Sequence, residues 1–335
     1  MKIVVFEAEE RERGVFDLLL PANEVVFVTE PLRLANAKEH ADADIVSTFI
    51  YSDLGPAVVE QLPRLKLIAT RSTGYEHIDV KACKARGIAV ANVPTYGSNT
   101  VAEHIFALLL AISHRLPEAI ERAQRGDFSP LGLQGFDIID KVMGVVGTGH
   151  IGRHVIQIAK GFGMKVMAFD AYPDDGAAQG MGFRYTTFDE LLTRSDVISL
   201  HVPSLPETRH LLNSKTFAKM KTGVIIINTA RGDLIETGGL IEALTSGKVA
   251  AAGLDVLPDE PMIREEAELI HSIFNKEHDL RNLVANHVLL RMRNVIITPH
   301  SAFNTREAVH RIAETTATNV AVFLEGRPQN LVMAK

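Results

Sequence analysis

Arg231, Glu260 and His300 have complementary chemistry, and each follows a stretch of small and branched apolar residues. Arg231 comes after VIIINTA, Glu260 after AAAGLDVLPD and His300 after NVIITP. In open α/β sheets ligands collect beyond the carboxyl ends of strands, so side chains just past such stretches are candidates for a site. The Arg231 guanidinium is a planar fork suited to a carboxylate and its neighbouring carbonyl oxygen. The His300 imidazole can give and take a proton near neutral pH. Glu260 can hydrogen-bond that imidazole, orient it and favour its protonated form. Taken one by one, each has a plainer reading. Arg231 could cap a loop through a salt bridge, His300 could be a satisfied histidine beside Pro299, and Glu260 could be one acid of a charged loop.

A second chemistry-bearing stretch is KVMGVVGTGHIG, an apolar run ending in Gly147-Thr148-Gly149-His150-Ile151-Gly152, followed by the helical pattern RHVIQIAKGFG. This is G-x-G-x-x-G between a strand and a helix, the context that gives the pattern its value. Gly147 permits the tight turn, Gly149 lets backbone approach a pyrophosphate, and Gly152 lets helix and strand pack closely. The helix N-terminus offers unpaired N–H groups and the positive end of the dipole to the anion. Eighteen residues after Gly152, Asp170 ends the run KVMAFD. A carboxylate there accepts from both ribose hydroxyls and repels a 2′-phosphate, so the expected cofactor is NAD rather than NADP.

The elements that position these residues alternate along the chain. KIVVFE, EVVFVT, ADIVST, LKLIATRS and GIAVANVP read as buried strands of a first parallel sheet. A long helix is expected over residues 100–126. VMGVVG, KVMAFD, DVISLHVP, GVIIINTA, VAAAGLDV and NVIITPH follow as strands of a second sheet, with helices expected at 151–161, 188–193, 215–220 and 238–246. The alternation predicts doubly wound α/β architecture. The tail from Thr305 reads as a helix that could pack back on the first domain. Residues 261–293 read as an elaborated, partly helical connection. A length of 335 residues fits two domains. The net charge of -6 argues against a nucleic-acid partner. The longest unbroken apolar run, residues 105–112, is far below the ~20 residues that span a bilayer, so no membrane role is expected. One cysteine, Cys83, allows no intrachain disulfide and reads as a small structural thiol at the end of a surface helix. The expected compartment is the cytoplasm. No metal-ligand spacing is present, so no metal is expected.

The segments VVGTGHIGR, HVPSLPETRHLLN, NTARGDLI, GLDVLPDEP and ITPHSAF, with ATRSTGYEHID and NVPTYGSNTVAEH, resemble the D-isomer-specific 2-hydroxyacid dehydrogenase family over nearly the whole chain. The resemblance implies Arg231, Glu260 and His300 as catalytic residues. It implies two Rossmann-like doubly wound domains, with an NAD domain (101–299) inserted into a discontinuous catalytic domain (1–100 and 300–335). The active site would lie in the cleft between them, usually in a homodimer. Substrate would be a small 2-keto or 2-hydroxy acid, its carboxylate met by Arg231 and by backbone N–H groups at Thr73, Gly74 and Tyr75. Besides the glycine loop with His150 and Ile151, the cofactor would meet His201, Val202, Pro203, Thr229, Ala230 and Asp255. Asp255 would support the nicotinamide carboxamide or simply end a strand. His104 reads as a packed helix residue rather than a catalytic one.

Within the family the chain looks most like the D-lactate dehydrogenase branch, through Tyr96 in NVPTYGSN, Phe303 in HSAF and the run GFDIIDKVMGVVGTGHIG. It departs in the 40 positions from Glu260 to His300 and in TYGS, where a proline often follows the Tyr-Ser pair. Glyoxylate, hydroxypyruvate, phenylpyruvate or a branched keto acid are alternative substrates. An NAD-sensing corepressor-like binding protein is the alternative of another class.

Overall fold

The structure is a computed structural model, and it describes residues 1–258 and 280–333. The chain divides into two compact units, Met1–Gly97 with Asn304–Lys335, and Ser98–Phe303. The joins lie a few residues from those expected at 100/101 and 299/300. The first long helix starts at Ser98, and the turn carrying His300 is tied by hydrogen bonds to Asp255, so both belong to the second unit.

The first unit has a five-stranded parallel sheet of β1 (Lys2–Val5), β2 (Glu24–Phe27), β3 (Ile45–Thr48), β4 (Leu67–Thr70) and β5 (Ala89–Ala91), in the order β2-β1-β3-β4-β5. Side chains alternate between its two faces. Val4, Val46, Ile68 and Val90 pack toward α1 (Pro56–Glu60) and α2 (Val80–Ala85). Ile3, Val5, Ile45, Leu67 and Ala69 pack toward the 3₁₀ segment Glu10–Leu19 and α11 (Arg306–Leu324). Both faces are covered, which is why these strands read as continuous apolar runs. Cys83 sits near the end of α2, whose Lys81 and Lys84 face solvent, but its own side chain points inward and is fully buried, and burial pushes its thiol up to about 11. It is a core side chain and an unreactive thiol.

The expected helix over 100–126 is two helices, α3 (Ser98–Ser113) and α4 (Leu116–Gln124). Arg115 between them is left-handed (φ 52°), and Pro117, which has no N–H to continue the ladder of α3, sits in the first turn of α4.

The second unit is built on seven parallel strands. These are β6 (Val142–Val146), β7 (Lys165–Phe169), β8 (Arg184–Tyr185), β9 (Val197–Leu200), β10 (Val224–Asn228), β11 (Val249–Leu254) and β12 (Val295–Ile297). Their order is β12-β11-β10-β9-β6-β7-β8. Among the described strands, the two-residue β8 alone lacks a counterpart among the apolar runs, being too short to show a period. Met143, Val145, Val197, Ile225 and Ile227 face α3, α5 (His150–Gly161) and α6 (Asp175–Met181). Val146, Ile198, Leu200, Val224, Ile226, Ala252 and Leu254 face α7 (Phe188–Arg194), α8 (Ser214–Lys219), α9 (Thr237–Thr245) and α10 (Leu280–Leu289). Strand order reverses between β6 and β9, the switch point at which such sheets bind ligands. No helix among the described residues is long and apolar enough to cross a membrane.

Candidate active site

The glycine loop opens at the switch point. Gly147 has φ +95°, and a Cβ there would lie 2.9 Å from the His201 carbonyl carbon, so the ends of β6 and β9 touch through a residue that must be glycine. At Gly152 a Cβ would meet the Gly147 carbonyl oxygen at 2.1 Å, which holds α5 tight to β6. Gly149 differs. It caps α5 with an ordinary negative φ, and a Cβ would meet nothing within 4 Å. The space over Gly149, in front of the α5 N-terminus, could hold a pyrophosphate. His150 is exposed beside it, and Ile151 packs inward against the core.

Asp170 ends β7. Its Oδ2 accepts from the Thr148 amide (2.7 Å) and the Thr148 hydroxyl (2.8 Å), and its Oδ1 from the Tyr172 amide (2.9 Å). Thr148 thus spends its proton on Asp170, so the Tyr185 hydroxyl, 2.8 Å away, donates to it. Burial by itself pushes the Asp170 carboxyl up, but the hydrogen bonds from Thr148 and Tyr172 outweigh it and hold the group below its ordinary value. It is a fixed carboxylate with capacity left on Oδ1 for a ribose hydroxyl. Across the switch point, His201 Nε2 and Thr229 Oγ1 are buried with no hydrogen-bond partner among the described residues, as expected of atoms that meet a ligand. His201, although its residue is only half-buried, has its pKa pushed down to about 3 by burial and is neutral. Val202, against Gly147, and exposed Pro203 continue that rim. Open space over a helix N-terminus, a fixed carboxylate and two orphaned polar atoms together fit a dinucleotide.

β10, β11 and β12 end in register, Asn228 opposite Leu254 and Leu254 opposite Ile297. Arg231, Asp255 and His300 follow those three ends. Asn228 is buried and shapes the first loop, its Oδ1 accepting from the Ala230 amide (3.0 Å) and its Nδ2 donating to the Arg231 carbonyl (2.8 Å). Arg231 Nη1 donates to the Ala230 carbonyl (2.8 Å). A Cβ at Gly232 would lie 2.1 Å from the Leu257 carbonyl carbon, so this loop crosses directly over the chain leaving β11. Glu260 lies outside the described residues.

Asp255 is buried and organises the third loop. Its Oδ1 accepts from the Thr298 hydroxyl (2.5 Å) and the Ser301 amide (2.8 Å), and its Oδ2 from the Ala302 amide (2.9 Å). Between these anchors His300 is held at φ 51°, a conformation unfavourable for a residue with a Cβ. Phe303 ends the same turn, half-buried in the second unit.

In the first unit the loop after β4 carries Thr73, Gly74 and Tyr75. The Ser72 hydroxyl donates to the Gly74 carbonyl (2.6 Å), Thr73 Oγ1 donates to the Val93 carbonyl (2.6 Å) and Asn92 Nδ2 donates to the Thr73 carbonyl (2.7 Å). With the Ser72 proton used, Thr70 donates to Ser72 (2.7 Å), and His77 Nε2 donates to Thr70 (3.3 Å). Arg71 is buried at the base of the loop, with Nη2 on the Phe6 and Glu7 carbonyls (both 2.8 Å). Tyr96, on the neighbouring loop after β5, has its carbonyl fixed by Arg311 of α11. Asn228 and Arg71 were not singled out from the sequence. Their signal is a polar side chain at the end of an apolar strand, as in VIIIN and LIATR.

Residues 106–302 match the family described as D-isomer specific 2-hydroxyacid dehydrogenase, NAD binding domain. The chain belongs to this family. The matched residues fall within the second unit. The chain is 36% identical to D-lactate dehydrogenase of Escherichia coli (strain K12), over 99% of this chain and 100% of that one. It is 38% identical to hydroxypyruvate reductase of Blautia hydrogenotrophica, over 87% and 85%. Among solved structures, D-lactate dehydrogenase from Aquifex aeolicus, complexed with NAD and lactic acid, matches with a TM-score of 0.85 and 34% identity over 99% of each chain. The protein is an NAD-dependent dehydrogenase acting on CH–OH donors, and NAD is its cofactor.

Proposed function

We propose that this dehydrogenase reduces pyruvate to D-lactate. The observation that carries the site is the common register of the β10, β11 and β12 ends, which sets the loops of Arg231, Asp255 and His300 side by side. The substrate is supported by 36% identity to D-lactate dehydrogenase of Escherichia coli over essentially both whole chains. The bulky side chains Tyr96 and Phe303, which would face the substrate methyl group, suit a small acid.

Gly147, Gly149, His150, Ile151 and Gly152 cradle the pyrophosphate, and Asp170 accepts from the adenosine ribose. His201, Val202 and Pro203 line the adenine side, and Thr229, Ala230 and Asp255 the nicotinamide side. Bound NADH supplies the hydride that reduces C2. Arg231 takes the substrate carboxylate and the keto oxygen in its two-pronged fork. The amides of Thr73, Gly74 and Tyr75 donate to the same carboxylate. His300 donates a proton to the keto oxygen as negative charge develops there, and Arg231 stabilises that charge. Glu260 orients the imidazole. Residues 1–100 and 300–335 supply the substrate domain and 101–299 the cofactor domain. The working form is a cytoplasmic homodimer, supported by an apolar face on α4 that its own unit does not bury.

The hydroxypyruvate reductase relative favours a second reading, reduction of a related 2-keto acid by the same residues. NADH oxidation followed at 340 nm with pyruvate, hydroxypyruvate, glyoxylate and phenylpyruvate separates the two. The highest kcat/KM for pyruvate, with D-lactate as product, is the expected result. A preference for another acid moves the substrate and keeps the mechanism. NADH binding without turnover of any acid would sink the enzymatic reading in favour of an NAD-sensing binding protein.

A further inference from the structure

His104 lies on α3, whose inward side is mostly apolar: Val101, Ile105, Leu108 and Leu109 are all buried. A half-buried histidine interrupts that face one helical turn before Leu108. The strand beneath explains its place. A Cβ on Gly253 of β11 would lie 3.0 Å from the Leu108 Cβ, so the glycine lets α3 settle directly on β11. Four residues back along a helix is about 6 Å, and two residues along a strand about 6.6 Å. Leu108 over Gly253 therefore sets His104 beside Asp255. His104 Nε2 lies 3.0 Å from Thr298 Oγ1 and 3.5 Å from Asp255 Oδ1.

The direction of these bonds follows from the donors available. Asp255 receives the Thr298 hydroxyl and the Ser301 and Ala302 amides, so it acts only as an acceptor. The single Thr298 proton is used on Asp255. Thr298 can then only accept from His104, so Nε2 is a ring nitrogen that carries a proton. The result is a one-way chain, His104 to Thr298 to Asp255, whose end is the carboxylate that holds the turn at residues 298–302. That turn carries His300 in its left-handed conformation.

We propose that His104 is a positioning residue for the reaction: through Thr298 and Asp255 it locks the turn that aims the His300 imidazole. This rests on His300 being the proton donor. Keeping an unfavourable backbone conformation requires surroundings that over-determine it. Three hydrogen bonds to Asp255 do so from the sheet side, and His104 adds the restraint from α3. The chain lies wholly within the second unit. Misplacing a catalytic group by a fraction of an ångström lowers the chemical rate while leaving binding nearly intact.

The test compares His104→Phe, which keeps a ring and loses the donor, with His104→Gln, whose amide Nε2 can donate from nearly the same place. Thr298→Val, alone and with His104→Phe, removes the same bond from the other side and serves should His104→Phe fold poorly. His300→Gln is measured in parallel. We expect His104→Phe to lower kcat about tenfold, with KM for the keto acid and the Kd of NADH each changing less than about twofold. His104→Gln should recover most of kcat, and the double variant should be no slower than the slower single one. A lowered Tm with unchanged kcat would make His104 a packing residue only and overturn the proposal. A loss of kcat that glutamine does not restore would overturn it too. If His300→Gln keeps its turnover, the reading of His300 falls and this one with it. If His300→Gln is inactive while His104→Phe and Thr298→Val are not, only the positioning role falls.

Discussion

His201 has a buried imidazole nitrogen with no hydrogen-bond partner among the described residues, and burial pushes its pKa down to about 3, against 6.5 in an unfolded chain. Above pH 6.5 neither state binds the proton and the residue is indifferent to pH. Between 6.5 and 3 the unfolded chain binds it and the folded one does not, so stability falls as the pH is lowered through that window. At pH 5 this costs on the order of 1–2 kcal/mol. Urea midpoints of the NAD-free protein at pH 7 and pH 5 should therefore fall less in His201→Gln than in the unsubstituted chain. Parallel losses would mean that His201 is protonated in the fold. The same buried nitrogen explains why the residue was legible in HVP only through family resemblance: a histidine in a sequence does not announce whether a neighbour will satisfy it.

At the scale of elements, three glycines that look equivalent in G-x-G-x-x-G have different physical reasons. Gly147 and Gly152 serve the protein itself, one through its φ of +95° and the other through 2.1 Å to a carbonyl oxygen. Gly149 has neither constraint, and what remains for it is room for a ligand. Gly152→Ala should cost about 1–3 kcal/mol of stability in the NAD-free protein. Gly149→Ala should leave that stability within about 0.5 kcal/mol and weaken NADH about tenfold. Thermal melts with and without NADH, and a fluorescence titration of NADH, check both. Equal destabilisation by the two changes would refute the division of roles. Helix boundaries show what a local pattern misses. The apolar positions of α3 and α4 keep helical spacing across Arg115, and only the left-handed residue and Pro117 reveal two helices.

For the whole molecule, α4 presents Leu116, Ala119, Ile120 and Ala123 at helical spacing, and none of its residues is buried. The following loop exposes Phe128 (84%) and Leu131 (82%), and the Leu131 carbonyl accepts from Arg122 of α4. An amphipathic helix with its apolar side in water lacks a partner, and a contiguous exposed apolar patch marks an interface. The homodimer reading assigns that face to a second copy of the chain. Light scattering after size exclusion should give twice the mass of one chain, and Ile120→Asp with Phe128→Asp should halve it. A single-chain mass before substitution would remove the dimer from the proposal.

The sequence alone determined the alternation of strands and helices, the glycine loop and the acid that follows it, because strands buried on both faces must be continuously apolar and a dinucleotide turn needs glycines at set intervals. It also determined the family, through ordered segments spread over nearly the whole chain. The tertiary structure decided what depends on neighbours distant in sequence. It buried Cys83, broke the helix at Arg115 and left Asn228 and Arg71 bracing loops from strand ends. It also brought His104, Thr298 and Asp255 together, although His104 and Thr298 stand 194 positions apart. That contact depends on Gly253 admitting α3 to β11 and on two strands ending in register, and neither distance is written in any local pattern of residues.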